Sequence, residues 1–179
     1  MNALIRPLQP QDALYVKRLF EDTWNFTKYL SPRKAHNFAK EMAEDVIRPQ
    51  YYSRGVFVGE EPVALIAGCP AGVDGNTKNT VEVLVTHPRF QKHGLASKLL
   101  AGFEDYCSQI NHLPVQAISD SECQWPFYHK KNYVLMDEKP VTIGRYQGTL
   151  YIFEKLPKAH EQATADIPMM LFTAQNPIC

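Results

Sequence analysis

The most constraining stretch of this sequence covers residues 80–110. A β-branched apolar run, Val81-Glu82-Val83-Leu84-Val85-Thr86, meets a turn, His87-Pro88-Arg89-Phe90, and then Gln91-Lys92-His93-Gly94-Leu95-Ala96. A short β-branched run closed by a proline turn reads as a buried strand. Beyond it Leu95, Leu99, Phe103 and Cys107 recur one helical turn apart, the spacing of a helix with one face in a core. The first turn of a helix has N–H donors without intrahelical acceptors, and the macrodipole adds partial positive charge there. A phosphate set against that end is held by backbone alone. Gly94 keeps the approach clear, because a side chain there would hold the phosphate oxygens away from the amides. Ala96 is small for the same reason, and Lys92 and His93 add positive charge at the mouth. The Gly-Lys-Ser/Thr of a nucleotide-triphosphatase loop is absent, as is the third glycine of a dinucleotide fingerprint.

With 179 residues the chain suits one domain with a sizeable core. Lysine plus arginine equals aspartate plus glutamate at 19 each, which argues against an electrostatic grip on nucleic acid or an anionic membrane. The apolar runs are too short to span a bilayer, and Met1-Asn2-Ala3-Leu4-Ile5-Arg6 lacks the shape of a signal peptide, so a soluble, cytoplasmic protein is expected. Cys69, Cys107, Cys123 and Cys179 are scattered, with no Cys-x-x-Cys pair and no paired histidines at ligand spacing. Neither disulfides nor a metal site is expected. Cys107 reads as a small apolar core residue.

In chain order, Leu4-Ile5-Arg6-Pro7 has the pattern of an edge strand. A helix is predicted from about Pro10, with Leu14, Leu19 and Phe20 among its buried residues. The aromatic stretch Trp24 to Tyr29 breaks its period. Ser31-Pro32 then caps a second helix that carries Phe38, Met42 and Val46. Val56-Phe57-Val58-Gly59 and residues 63–68 read as a hairpin around Glu60-Glu61-Pro62. Residues 69–79 form a loop leading back antiparallel into the central strand. After the helix Val115-Gln116-Ala117-Ile118-Ser119 reads as a buried strand, and a strand–helix–strand unit makes it the parallel neighbour of the strand at Val81. Residues 122–131 read as a short helix, closed by Asn132 in a left-handed cap. The last strands are predicted at 133–136 and 149–153, with 138–148 as their connector. The domain is expected to span residues 1–156. Residues 157–179 form a tail with an apolar run at 167–172, too greasy to float free; it either folds back over the domain or covers a partner subunit in a homodimer.

The string Leu84-x-Thr86-x-Pro88-x-Phe90-Gln91-x-x-Gly94-x-Ala96 resembles the acetyl-CoA-binding motif of the GNAT superfamily of N-acyltransferases. A second string, Trp125-Pro126-Phe127-Tyr128-His129-Lys130-Lys131-Asn132-Tyr133, is similar to the segment of that family in which an aromatic and a Tyr precede two variable residues, a Gly and an aromatic. The family usually has Gly where this chain has Asn132, and Asn where it has Ser121. The resemblance implies an α/β (α+β) GNAT fold, a mixed central sheet of about six to seven strands flanked by helices on both faces. It implies an enzyme using acetyl-CoA as cosubstrate and no metal, transferring acetyl directly to a primary amine of a small molecule or peptide. Two other functions stay open: a catalytically silent acyl-CoA-binding or regulatory module, and a peptide or protein N-acetyltransferase.

By the same resemblance Leu84, Val85, Thr86, Gln91, Lys92, His93, Gly94, Leu95, Ala96 and Ser121 hold the coenzyme, with a main-chain N–H of residues 84–86 polarising the thioester carbonyl. Tyr128 is the candidate acid for the departing thiolate. A phenol of pKa about 10 stays protonated at neutral pH, while a thiol titrates near 8.5, so the proton is available although its transfer is uphill. Glu82, a charged residue in an apolar strand, is the candidate base, because an alkylammonium has no lone pair until it loses a proton. The alternative reading of Glu82 is a solvent-facing carboxylate, and that of Tyr128 a packed, half-buried phenol. Among the histidines, His87 is read as turn surface, His93 as lining the coenzyme entrance and His129 as solvent-facing. The linker residues Trp24, Phe26 and Tyr29, with Glu21 and Asp22 before them, would wall an acceptor amine.

Overall fold

The computed structural model describes residues 3–23, 30–73, 75–143 and 146–156. Seven strands form one sheet: β1 (Leu4–Pro7), β2 (Tyr52–Val58), β3 (Glu61–Cys69), β4 (Asn79–Thr86), β5 (Val115–Ser119), β6 (Val134–Ile143) and β7 (Tyr146–Lys155). Their order is β1-β2-β3-β4-β5-β7-β6. The β4–β5 pair is parallel, joined by the crossover helix α3 (Leu95–Ile110), as a strand–helix–strand unit requires. The other neighbours are antiparallel.

Two cores flank the sheet. Leu95, Leu99, Phe103 and Cys107 of α3 pack with Val81, Ala117, Phe153 and Tyr128 of α4 (Trp125–Lys130) on one face. On the other, Val16, Leu19 and Phe20 of α1 (Ala13–Thr23) and Ala39, Ala43 and Val46 at α2 (Pro32–Asp45) pack against Phe57, Leu65, Ala67 and Val83. Helix α3 sits close to β3 because Gly68 has no side chain: a Cβ there would stand 2.3 Å from the Phe103 ring. Burial pushes the Cys107 thiol up to about 12, as suits a cysteine that packs and does not react.

Two expectations change. Leu14 is 55% exposed, because the buried stripe of α1 runs through Val16, Leu19 and Phe20 and leaves Leu14 outside it. Most of the expected connector 138–148 is strand: β6 pairs with β7 as far as Ile143 opposite Tyr146. β5 pairs with β7 only over residues 151–155, so the far half of this hairpin is a two-stranded arm, and Pro140, Gly144 and Gly148 interrupt its strand pattern in the sequence. The tail, residues 157–179, and the linker residues Trp24, Phe26 and Tyr29 lie outside the described residues.

Candidate active site

The register of β4 shows where a site can form. Ala67 faces Val83 and Gly68 faces Val81, so Glu82 is an extra residue, a bulge, in the middle of the strand. Toward β5 the pairing stops at the same place: Asn79, Thr80 and Val81 pair with Val115, Gln116 and Ala117, and beyond them β4 and β5 part. The ladder bond from the His87 N–H to the Val63 carbonyl, 2.9 Å, sets the alternation along β4. By it Val83 and Val85 turn their backbone to β3, whereas Leu84 and Thr86 turn theirs into the gap. The hydroxyl of Thr86 is buried there without a hydrogen-bond partner among the described residues.

At the end of β4 a 3-10 turn (Pro88–Phe90) swings the chain into α3. The first helical bond runs from the Lys98 N–H to the Gly94 carbonyl, 3.1 Å, and among the described residues the N–H groups of residues 92–97 meet no protein acceptor. Lys92 (φ 64) and Gly94 (φ 76) both adopt the left-handed conformation. Alternation of that kind turns successive amides toward a common point and makes an anion nest. A Cβ on Gly94 would meet nothing within 4 Å, so the glycine opens onto solvent, and its backbone angle disfavours any other residue.

Side chains brace this turn. The Gln91 amide donates to the Thr86 carbonyl at 3.3 Å. Nδ1 of His93 lies 2.8 Å from the Gln91 carbonyl and 3.3 Å from that of Phe90. Carbonyls only accept, so Nδ1 carries the proton and Nε2 is left for an outside partner. His87 is a cap and not a base: its Nδ1 accepts the Arg89 N–H at 3.2 Å, and its Nε2 faces Asp22 at 4.0 Å. His129 is exposed, edge-on to Trp125. Leu95 is buried in the core under the turn, and Ala96 is half-buried.

Tyr128 packs over the row where the sheet parts, and Glu82 follows directly after Val81 of that row. Tyr128 stacks on Phe153 at 4.9 Å between ring centres, Phe153 pairs with Ala117, and Ala117 pairs with Val81, the residue before Glu82. Tyr128 is 2% exposed, and no hydrogen bond to its hydroxyl is present among the described residues. Burial, with a smaller effect from the Asp120 charge, pushes its phenol up to about 12. Glu82 reaches the surface, yet enough protein surrounds its carboxyl that desolvation raises it above the ordinary carboxylate value. Ser121 caps the 3-10 turn Glu122–Gln124 by accepting the Cys123 N–H at 3.3 Å, which leaves its hydroxyl proton to donate. Asn132 (φ 64) ends α4, with the Tyr133 N–H returning to the Tyr128 carbonyl at 3.1 Å.

Sequence reasoning missed the bulge at Glu82, the buried hydroxyl of Thr86 and the influence of Asp120 on Tyr128. A bulge belongs to two strands at once and leaves no mark in either composition. Asp120 alone carried a signal, a carboxylate between two serines where β5 ends. The hollow lined by Pro10, Ala13, Glu44, Ile47, Arg48 and Pro49 shares no residue with this region. Among the described residues no cluster of His, Cys, Asp or Glu is arranged to hold a metal, and no helix is long and apolar enough to cross a membrane.

Comparison with known proteins bears on this geometry. Residues 21–144 match the family model of the acetyltransferase (GNAT) domain. Among solved structures, the PaiA N-acetyltransferase of Thermoplasma acidophilum, in complex with coenzyme A, superposes with a TM-score of 0.66 at 17% identity, over 87% of this chain and 99% of that one. The ribosomal-protein-S18-alanine N-acetyltransferase of Escherichia coli gives 0.68 at 11% identity, over 90% and 98% of the two chains. An aminoglycoside 6'-N-acetyltransferase complexed with coenzyme A gives 0.66 at 14%, over 86% and 96%. No curated protein sequence matches this one significantly. At these identities the superpositions establish the seven-stranded α/β fold, and the family model, covering more than half of the chain, establishes the rest: this protein belongs to the GNAT family of acetyltransferases.

Proposed function

We propose that this chain transfers an acetyl group directly from acetyl-CoA to an amine, with no covalent enzyme intermediate. One observation carries the reading: at the row Val81–Ala117–Phe153 the sheet parts, the buried phenol of Tyr128 stacks on Phe153, and the carboxylate of Glu82 follows Val81 at a bulge. The unpaired amides of residues 92–97 suit the coenzyme's diphosphate. Gly94 and the small Ala96 keep the approach open, Lys92 adds a donor, His93, Gln91 and Leu95 fix the turn, and the backbone of Leu84 and Thr86 offers the pantetheine arm the pairing that β5 gives up. Val85 braces the strand from its other side, and Ser121 donates from across the gap. Acetyl-CoA supplies the thioester that the amine attacks.

Glu82 takes the proton of the acceptor ammonium, directly or through water; its raised pKa makes it a better base than an exposed carboxylate. Tyr128 returns a proton to the thiolate as it leaves. A phenol near 12 is a weak acid for that task, but the desolvation that raises it also raises a thiolate set beside it, which narrows the uphill gap. The acceptor approaches from the α1–α2 side, where Trp24, Phe26 and Tyr29 would contribute its wall; a small-molecule amine and a peptide amine both remain acceptors of this scheme.

Incubation with acetyl-CoA and a panel of small amines and peptides, with coenzyme thiol release as the readout, tests the proposal. Release with at least one amine, absent without it, is expected. Coenzyme binding by calorimetry without release for any amine would leave a silent binding module. Neither binding nor release would sink both.

A further inference from the structure

The two faces of the sheet are not covered alike. The core under α1 and α2 draws on β2, β3 and β4 and on no residue of β5, β6 or β7. On that side the second half of the sheet is only partly covered: Ile152 at its centre is 9% exposed, while the apolar residues around it are open. Ile118 is 39% exposed, Val134 60% and Met136 59%, although they sit in strands. They are neighbours: Ile118 pairs with Ile152, Met136 and Asp137 together oppose Ile152 at a bulge, and Val134 pairs with Glu154. Alternation puts them on one side, since Ala117, Phe153, Tyr133 and Leu135 pack in the α3–α4 core. The polar border is the ion pair of Lys78 with Glu154.

The chain itself holds a segment to match. It leaves the sheet after Lys155, which pairs with Val115, and residues 167–172 read Ile-Pro-Met-Met-Leu-Phe. The ten residues 157–166 between them reach roughly 33 Å when extended. Ile118 lies three residues back along β7 from that exit, about 10 Å. A second globular copy would fit this face poorly, because three partly exposed side chains fall far short of the about 800 Å² per partner of a standard interface. Six apolar residues of one chain suit it.

We propose that residues 167–172 of the same chain lie on the partly open face of β5, β7 and β6, over Ile118, Val134 and Met136. This placement rests on the fold and not on the acetyl-transfer reading. It sets the end of the tail beside the parted strands, on the side from which an acceptor would come.

Photocrosslinking of the full chain tests it, with p-benzoylphenylalanine at position 172 in an equal mixture of light and heavy isotope-labelled protein. Crosslinks within one chain, to peptides spanning residues 115–119, 134–137 or 150–156, are the expected result. The double variant Val134→Asp, Met136→Asp should lose at least about 80% of that crosslink, and its melting temperature reports whether the domain is still folded. Both side chains are exposed, so folding should survive. Crosslinks between light and heavy chains would assign the tail to a second copy and overturn the proposal. So would crosslinks confined to α1 and α2, or none in the parent protein.

Discussion

Burial raises the pKa of both Glu82 and Tyr128, and the one shift serves two ends. A carboxylate that holds a proton more tightly is a better base, and a phenol that holds one more tightly stays charged with it until a thiolate arrives. Replacing Tyr128 with Phe keeps the stack on Phe153 and removes only the hydroxyl, so kcat should fall by about 10²-fold or more, in the range of lost acid catalysis, while the coenzyme Kd moves little. Steady-state kinetics beside calorimetry separates the two. For Glu82 the sign follows from its role: the carboxylate acts deprotonated, so activity climbs as pH rises through its raised pKa, and Glu82→Gln should lower kcat and abolish that climb in a pH–rate profile. The same shift fixes the stability effect. A carboxyl whose folded pKa is raised contributes stability below its unfolded pKa and loses it as pH rises through the folded value. At neutral pH the ionised Glu82 is therefore a cost, and Glu82→Gln should melt no lower than the parent protein.

Helix α3 and the turn before it were legible because a stripe every third or fourth residue, a proline turn and one glycine each have a local physical cause. That glycine carries an element-scale prediction. Gly94→Val forces a β-branched residue to φ 76, a strain of about 1–2 kcal/mol, and sets its side chain before the amides. Calorimetry should find coenzyme binding at least about tenfold weaker. Gly68→Ala tests the packing instead: its methyl would enter the Phe103 ring, and overpacking of that kind costs about 1–3 kcal/mol. Thermal melting should register it as a fall of about 2–4 °C per kcal/mol. Elements whose cause is not local were harder to read. The arm of β6 and β7 is interrupted by Pro140 and Gly148, the bulge at Glu82 exists only relative to β3, and Leu14 looks like a core residue until the direction of the α1 stripe is fixed by its neighbours.

Across the whole molecule the sheet works as a wedge. Its neighbouring strands pair except where β4 and β5 part and where the β6–β7 arm runs past the end of β5. The parallel central pair followed from element lengths, because a crossover helix leaves one way to connect it; how far the pair runs before it parts did not, since register is a property of two strands together. Buried phenols on the α3–α4 side give the molecule a pH limit. Tyr128 is raised to about 12, and Tyr133, which donates to Glu104 at 3.0 Å, is raised as well, chiefly by burial. Their stability is present below the unfolded pKa near 10 and is lost as pH climbs through the folded values, about 3 kcal/mol for Tyr128 alone. Unfolding followed by circular dichroism should therefore set in above pH 10, at higher pH in Tyr128→Phe than in the parent protein. The coenzyme cradle is tested most directly by titrating an isotope-labelled full chain with coenzyme A and following its backbone amides by NMR. The largest shifts should fall on residues 92–97, with Leu84 and Thr86 next. A saturating titration that leaves those amides unmoved, or moves only amides elsewhere, would contradict it.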